Sequence, residues 1–191
     1  DGIIGANGYV LFNYCGNNPI MLSDPSGMLG YDGCAWLTLF VNKSRDYTYY
    51  NQNDNDSTFI DSTGAPYSES GRGPTAAAMV ATNLTGEEYT PNEMGDMAKG
   101  MGMVSSATDA NFFPKMAEEV GLLCTATNSV EDVKIALQTN SLVIAYMGKG
   151  AFTNGGHYIV LYAYDSVNNV FYVMDPNGKT RLPASVYRAE D

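Results

Sequence analysis

The chain has 191 residues, enough for one domain of ordinary size or for one domain with an attached fragment. Its 21 acidic and 10 basic side chains give a net charge of −11, which excludes nucleic-acid binding through bulk electrostatics and disfavours attraction to anionic membranes. A single histidine excludes zinc centres built on several histidines, and the three cysteines form no CxxC pair, so we expect neither a metal nor another cofactor.

The first seventy residues have few regular signals. Residues 9–14 are a candidate strand, and Asn17-Asn18-Pro19 and Asp24-Pro25-Ser26-Gly27 are turn signals. The longest mostly apolar stretch, residues 34–41, is far shorter than the ~20 residues of a membrane span. Residues 42–70 are polar and are predicted to form a long loop or linker. Since the sequence begins with neither Met nor a signal-peptide pattern, we expect it to be the C-terminal part of a longer protein.

From Gly71 onward the sequence predicts four helices, over residues 74–86, 90–99, 113–121 and 129–138. Pro74 suits the first position of the first helix, and Gly86 suits its end. Thr90 and Glu93 form a capping box for the second helix, and Ser129 is an N-cap for the fourth.

After residue 138 the spacing of apolar residues changes from a helical pattern to a strand pattern. Residues 142–147, 157–164 and 170–174 are predicted strands, and residues 165–169 form the turn between the last two. Helices followed by an antiparallel sheet indicate an α+β fold.

His157 begins one of these predicted strands, and Asp175 follows the next one, so the two are candidate catalytic residues. If Tyr164 pairs with Val170, then Asp175 lies opposite Ile159 and on the same face as His157. A carboxylate that orients an imidazole is two-thirds of a hydrolase triad. The alternative is that the two side chains are unrelated.

A set of ordered motifs resembles a known family. Residues 71–79, GRGPTAAAM, resemble the GCGPTAxAM motif of papain-like cysteine peptidases related to the peptidases that process bacteriocin leaders. NFFPKMAEEVGL, LVIAYMGKGAFTNGGHYIVLYAYD and VFYVMDPNGK resemble later segments of that family in the same order, and the resemblance covers about residues 47–183. It implies a papain-like fold, in which N-terminal helices pack on a C-terminal antiparallel sheet.

The resemblance also implies a catalytic set. In this family a Cys at a helix N-terminus is the nucleophile, a His takes its proton and an Asp orients the His. His157 and Asp175 match the last two positions. Gln52, in Asn51-Gln52-Asn53-Asp54, matches the Gln that helps to hold the oxyanion; the alternative is an ordinary polar loop residue.

The nucleophile position is occupied by Arg72. A guanidinium stays protonated and cannot attack a carbonyl, so we expect no cysteine-peptidase activity. Because a cation at a helix N-terminus is unfavourable by up to ~1 kcal/mol, we expect Arg72 to pair with a carboxylate, such as Asp175 or Glu69. Neither Cys34 nor Cys124 is expected to replace the missing nucleophile, since free cysteines are mostly small core residues.

The N-terminal segment GYVLFNYCGNNPIMLSDPSG resembles the end of the RHS/YD-repeat-associated core. This resemblance implies a large bacterial shell upstream and a C-terminal effector released by self-cleavage, with Asp24 as the motif aspartate; the alternative is that Asp24 only makes a turn. We therefore predict three parts: residues 1–30 as the end of the RHS core, residues 31–46 as a linker or packing segment, and residues 47–191 as the papain-like domain.

Two functions follow. The first is a toxin-like C-terminal effector with a peptidase fold, inactive because of Arg72; the second is a non-catalytic peptide-binding module that reuses the cleft. A deamidase or acyl transferase would need the same cysteine, so Arg72 counts equally against it. The expected partners are a peptide or protein ligand and an immunity protein, and the expected location is bacterial, secreted or on the cell surface.

Overall fold

A computed structural model describes residues 8–13, 46–54, 65–105, 107–150, 152–178 and 186–188. Within these ranges the helices are α1 (Tyr67–Ser70), α2 (Arg72–Thr85), α3 (Pro91–Gly100), α4 (Phe112–Glu119) and α5 (Val130–Gln138), and Gln52–Asp54 forms one turn of 3-10 helix. The strands are β1 (Gly8–Asn13), β2 (Leu123–Thr127), β3 (Leu142–Met147), β4 (His157–Asp165), β5 (Val170–Met174) and β6 (Val186–Arg188). The predicted α+β class is confirmed.

The strands form one antiparallel sheet in the order β2-β1-β3-β4-β5-β6. Strand β1, predicted over residues 9–14, lies inside the sheet between β2 and β3. A strand from the first thirty residues thus pairs with two strands from the region assigned to the peptidase domain. The three-part division of the chain stays a prediction.

Both faces of the sheet are covered by helices. The residues of α2 from Ala76 to Ala81 are fully buried, and they share a core with Val160 and Tyr162 of β4. On the other face, Val133 and Leu137 of α5 form a second core with the intervening residues of β4. Every residue of β4 is buried as a result, because each of its two faces packs against helices.

The local signals at the helix ends are confirmed. The hydroxyl of Thr90 accepts from the backbone N–H of Glu93, and the Glu93 carboxylate accepts from the backbone N–H of Thr90, which completes the capping box of α3. Ser129 caps α5 through the N–H of Asp132. Gly86 ends α2 with φ of +80°, a conformation that glycine adopts without strain.

Three expectations are wrong in detail. Helix α2 begins at Arg72, two residues before Pro74. Part of the predicted loop over residues 42–70 is regular, since it contains the 3-10 turn and α1. Cys124, expected to be a small core residue, is only partly buried, because β2 lies at an end of the sheet order and its Leu123 is 58% exposed.

Candidate active site

The glycine-rich motif allows close packing at the start of α2. A Cβ at Gly71 would collide with the Tyr67 ring, and a Cβ at Gly73 would collide with the Thr108 side chain. The buried hydroxyl of Thr75 donates to the carbonyl of Gly71 over 2.8 Å. These contacts fix the position of the first turn of α2, and with it the position of Arg72.

Gln52 is held between the two halves of the site. Its backbone N–H donates to the carbonyl of Pro176 over 2.8 Å, and its Nε2 donates to the carbonyl of Ser68 in α1 over 2.5 Å. The hydroxyl of Tyr49 reinforces this attachment by donating to the carbonyl of Asp175 over 2.7 Å. Gln52 is 2% exposed, so it is a buried residue that bridges two elements, and its role in holding an oxyanion stays a prediction.

His157 and Asp175 are in direct contact. The distance from Nε2 of His157 to Oδ1 of Asp175 is 2.6 Å, and His157 is 4% exposed. The same Oδ1 accepts from the backbone N–H of Asn177 over 2.8 Å, which fixes the carboxylate. Because Nε2 is engaged, Nδ1 is the ring nitrogen left to exchange a proton with another group.

The register that joins β4 to β5 differs from the predicted one at the turn and agrees with it at the site. Asp165 pairs with Val170, one residue later in β4 than expected, because the turn has four residues and not five. A β-bulge in β4 then shifts the ladder, so that Val160 pairs with Met174. Asp175 directly follows Met174, and its carboxylate contacts His157.

Arg72 is the first residue of α2 and is partly exposed. Its Nη1 donates to the backbone carbonyl of Glu69 over 2.9 Å. Gln52 and Arg72 therefore donate to consecutive carbonyls of α1, those of Ser68 and Glu69. In the part of the chain that the structure describes, Arg72 forms no ion pair, so the expectation that it pairs with a carboxylate is wrong there.

Two further residues near the start of α2, Tyr158 and Thr108, were not predicted; the Thr108 side chain lies against Gly73. Burial raises the pKa of Tyr158 to about 12, and the positive charge of Arg72 acts in the opposite direction. The Tyr158 hydroxyl donates to the carbonyl of Thr108 over 3.2 Å. Tyr158 follows His157 directly and could have been suspected from that position; Thr108 lies in a loop with no sequence signal.

The other candidate residues lie elsewhere. Burial raises the pKa of Cys124 to about 11, so its thiol stays protonated at neutral pH. Cys34 and Asp24 lie outside the described residues. Across the described ranges, no group of three or more His, Cys, Asp or Glu side chains is arranged to hold a metal ion. No helix in those ranges is long and apolar enough to cross a membrane.

Comparison with known proteins gives the family. Residues 44–189 match the Peptidase_C39 like family, and the match spans most of the chain. The chain belongs to this family of cysteine-peptidase-like domains. Comparison with curated proteins and with solved structures returns no match.

Proposed function

We propose that this chain is the C-terminal effector domain of an RHS-repeat protein and that its peptidase fold no longer hydrolyses peptide bonds. The observation that carries the loss of activity is Arg72, which begins α2 where the motif GRGPTAAAM aligns the nucleophile. The effector role is supported by the RHS-like sequence of residues 8–27.

The chemistry explains why one substitution is sufficient. In a cysteine peptidase the sulfur attacks the scissile carbonyl carbon, and the thiol proton passes to an imidazole. Here the pair of His157 and Asp175 has the geometry of a base and its orienting acid. Arg72 offers no nucleophilic atom, because its guanidinium stays protonated. The base is therefore retained without a group to activate.

Peptide binding is the second candidate, and an exposed aromatic residue beside the histidine favours it. Tyr146 of β3 is 36% exposed, and its ring centroid lies 5.1 Å from that of Tyr158. Its hydroxyl lies against Gly156, the residue before His157, where a Cβ would collide with it. An exposed aromatic ring next to a buried polar pair offers contact area and orientation to a bound peptide.

The test is hydrolysis of casein and of a mixed peptide library by four forms of the chain. We expect none from the wild type or from Arg72→Ala, which removes the guanidinium without adding a nucleophile. Arg72→Cys should hydrolyse, and Arg72→Cys combined with His157→Ala should lose on the order of 10²–10⁴-fold of that rate. Hydrolysis by the wild type would overturn the proposed loss of activity.

A growth assay tests the effector role separately. We expect Arg72→Cys to slow the growth of a bacterial host when it is produced inside the cell, whereas Arg72→Ala should not. If Arg72→Cys hydrolyses peptides but leaves growth unchanged, the effector proposal fails. The peptide-binding candidate then takes its place.

A further inference from the structure

We propose that the start of α2 is an anion site, in which Arg72 binds the free C-terminal carboxylate of a peptide lying in the cleft. The inference rests on the peptide-binding candidate above and adds the chemical group that is recognised. It assigns to Arg72 a positive role in binding, beyond the loss of hydrolysis.

The charge of Arg72 has no counter-ion among the described residues. A guanidinium has five N–H donors, and the one contact formed by Arg72 is to a neutral backbone carbonyl, that of Glu69. The N-terminus of a 14-residue helix adds its own partial positive charge at the same place. Two positive features in one location, with no acid paired to them, favour an anion as the missing partner.

A second observation comes from the loop before α4. Thr108 is 6% exposed, and its Oγ1 has no hydrogen-bond partner in the described part of the chain. This side chain lies against Gly73, the second residue of α2. Its unpartnered hydroxyl is therefore directed at the first turn of the helix, where it can donate to an anion.

Gln52 adds a donor from the other side. Its Nε2 has two N–H groups, and the hydrogen bond to the carbonyl of Ser68 uses one of them. Because Gln52 and Arg72 donate to adjacent carbonyls of α1, the remaining N–H of this amide can donate to the same anion.

The nearby carboxylates are bound to other donors. Asp109, whose charge also reaches Tyr158, accepts from the backbone N–H and the side-chain Nδ2 of Asn111. Asp175 is held by His157 and by the N–H of Asn177. Neither acid pairs with Arg72. Asp109 acts on the same Tyr158 hydroxyl as Arg72 does, so removing its charge should strengthen anion binding.

A peptide C-terminus suits this site better than an internal segment. In a peptidase cleft the acyl carbon of the bound chain lies at the nucleophile position, and hydrolysis would turn that acyl group into a carboxylate. A guanidinium recognises a carboxylate through two parallel N–H···O bonds, whereas an internal amide offers only one neutral carbonyl oxygen there. With a net charge of −11, the chain has to select an anion through local donors and not through its overall field.

The experiment uses the full chain and two random octapeptide libraries, one with free C-termini and one amidated. Retained peptides are identified by mass spectrometry, resynthesised in both forms and titrated by fluorescence anisotropy. We expect the acid form to bind at least about ten-fold more tightly than the amide.

Arg72→Ala should abolish this preference, Arg72→Lys should restore part of it, and Asp109→Asn should strengthen acid binding. Lys115→Ala, on the exposed side of α4, removes one positive charge elsewhere and should change nothing.

Each other outcome overturns the inference in a distinguishable way. If peptides are retained with equal affinity for acid and amide, peptide binding stands and the carboxylate assignment fails. If neither library is retained, peptide binding fails with it. If inorganic phosphate displaces the acid form and binds as tightly as it does, the site is one for small anions and does not recognise a peptide terminus.

Discussion

The carboxylate of Asp175 holds the ring of His157 by Nε2, with 2.6 Å between nitrogen and oxygen. This contact favours the tautomer in which Nε2 carries the proton and Nδ1 is the base. We propose that a cysteine in place of Arg72 would complete a cysteine-peptidase triad with this pair. Introducing a sulfur at position 72 therefore tests whether the pair of His157 and Asp175 can still activate a nucleophile.

Replacing Arg72 with cysteine should create a fast-reacting thiol. A thiol at a helix N-terminus next to an imidazole has a pKa of roughly 3.5–7.5, so it is largely ionised at neutral pH. Cys124, with a pKa raised to about 11 by burial, is ionised in roughly one molecule in 10⁴ at pH 7. We expect iodoacetamide to label position 72 at least about 100-fold faster than Cys124, as mapped by mass spectrometry.

Adding His157→Ala to Arg72→Cys should slow that labelling by about ten-fold or more, because the imidazolium that stabilises the thiolate is removed. Cys124 is the internal control, since its rate should be the same in both proteins. Equal rates at position 72 and at Cys124 would mean that the helix terminus and His157 no longer form a catalytic arrangement.

Changes at Asp175 should act through the histidine. In the Arg72→Cys background, Asp175→Ala should lower the labelling rate at position 72 more than Asp175→Asn does, because asparagine keeps an oxygen that accepts from Nε2. The readout is the rate from pH 5 to 9, which separates lost orientation from unfolding when circular dichroism is unchanged. Identical rates for both variants and the parent would show that Asp175 does not position the ring.

The starts of α3 and α5 were predictable because their capping signals are local. Thr90 with Glu93 and Ser129 with Asp132 form the caps that their spacing implied. Each cap involves residues within three positions, so no tertiary contact is needed to form it.

The non-local pairings were not predictable in the same way. The prediction placed Asp175 near His157, but it missed two features of the register. The shorter turn shifts the pairing of β4 with β5 by one residue, and the β-bulge shifts it back. A bulge depends on packing across both faces of β4, which the sequence pattern of one strand does not encode. The partner of Arg72 was not predictable from the sequence pattern either: it is the carbonyl of Glu69 and not a carboxylate.

Adding one methyl group at Gly73 should destabilise the fold. Gly73→Ala places a Cβ against Thr108, and overpacking of this kind typically costs ~1–3 kcal/mol of unfolding free energy. The matched control is Gly100→Ala, at the end of α3, where a Cβ meets nothing within 4 Å and helix propensity improves. Urea denaturation measures both, and Thr108→Ala in the Gly73→Ala background should recover part of the loss. Equal effects of the two alanine substitutions would contradict this packing.

The capping box of α3 should make part of the stability pH-dependent. Hydrogen bonds from the backbone N–H and hydroxyl of Thr90 lower the pKa of Glu93 below its ordinary value of 4.5. The folded state therefore favours the ionised carboxylate, so this stabilisation is complete above pH 4.5 and is lost as the pH falls through the lowered value.

Glu93→Gln cannot be protonated in this range, so its deficit in unfolding free energy relative to the wild type should shrink between pH 7 and about 3. Thr90→Ala should cost ~1 kcal/mol at pH 7, because the N-cap itself is removed. Urea denaturation at both pH values gives the comparison, and a Glu93→Gln deficit that is constant with pH would rule out the charged form as the source of the stabilisation.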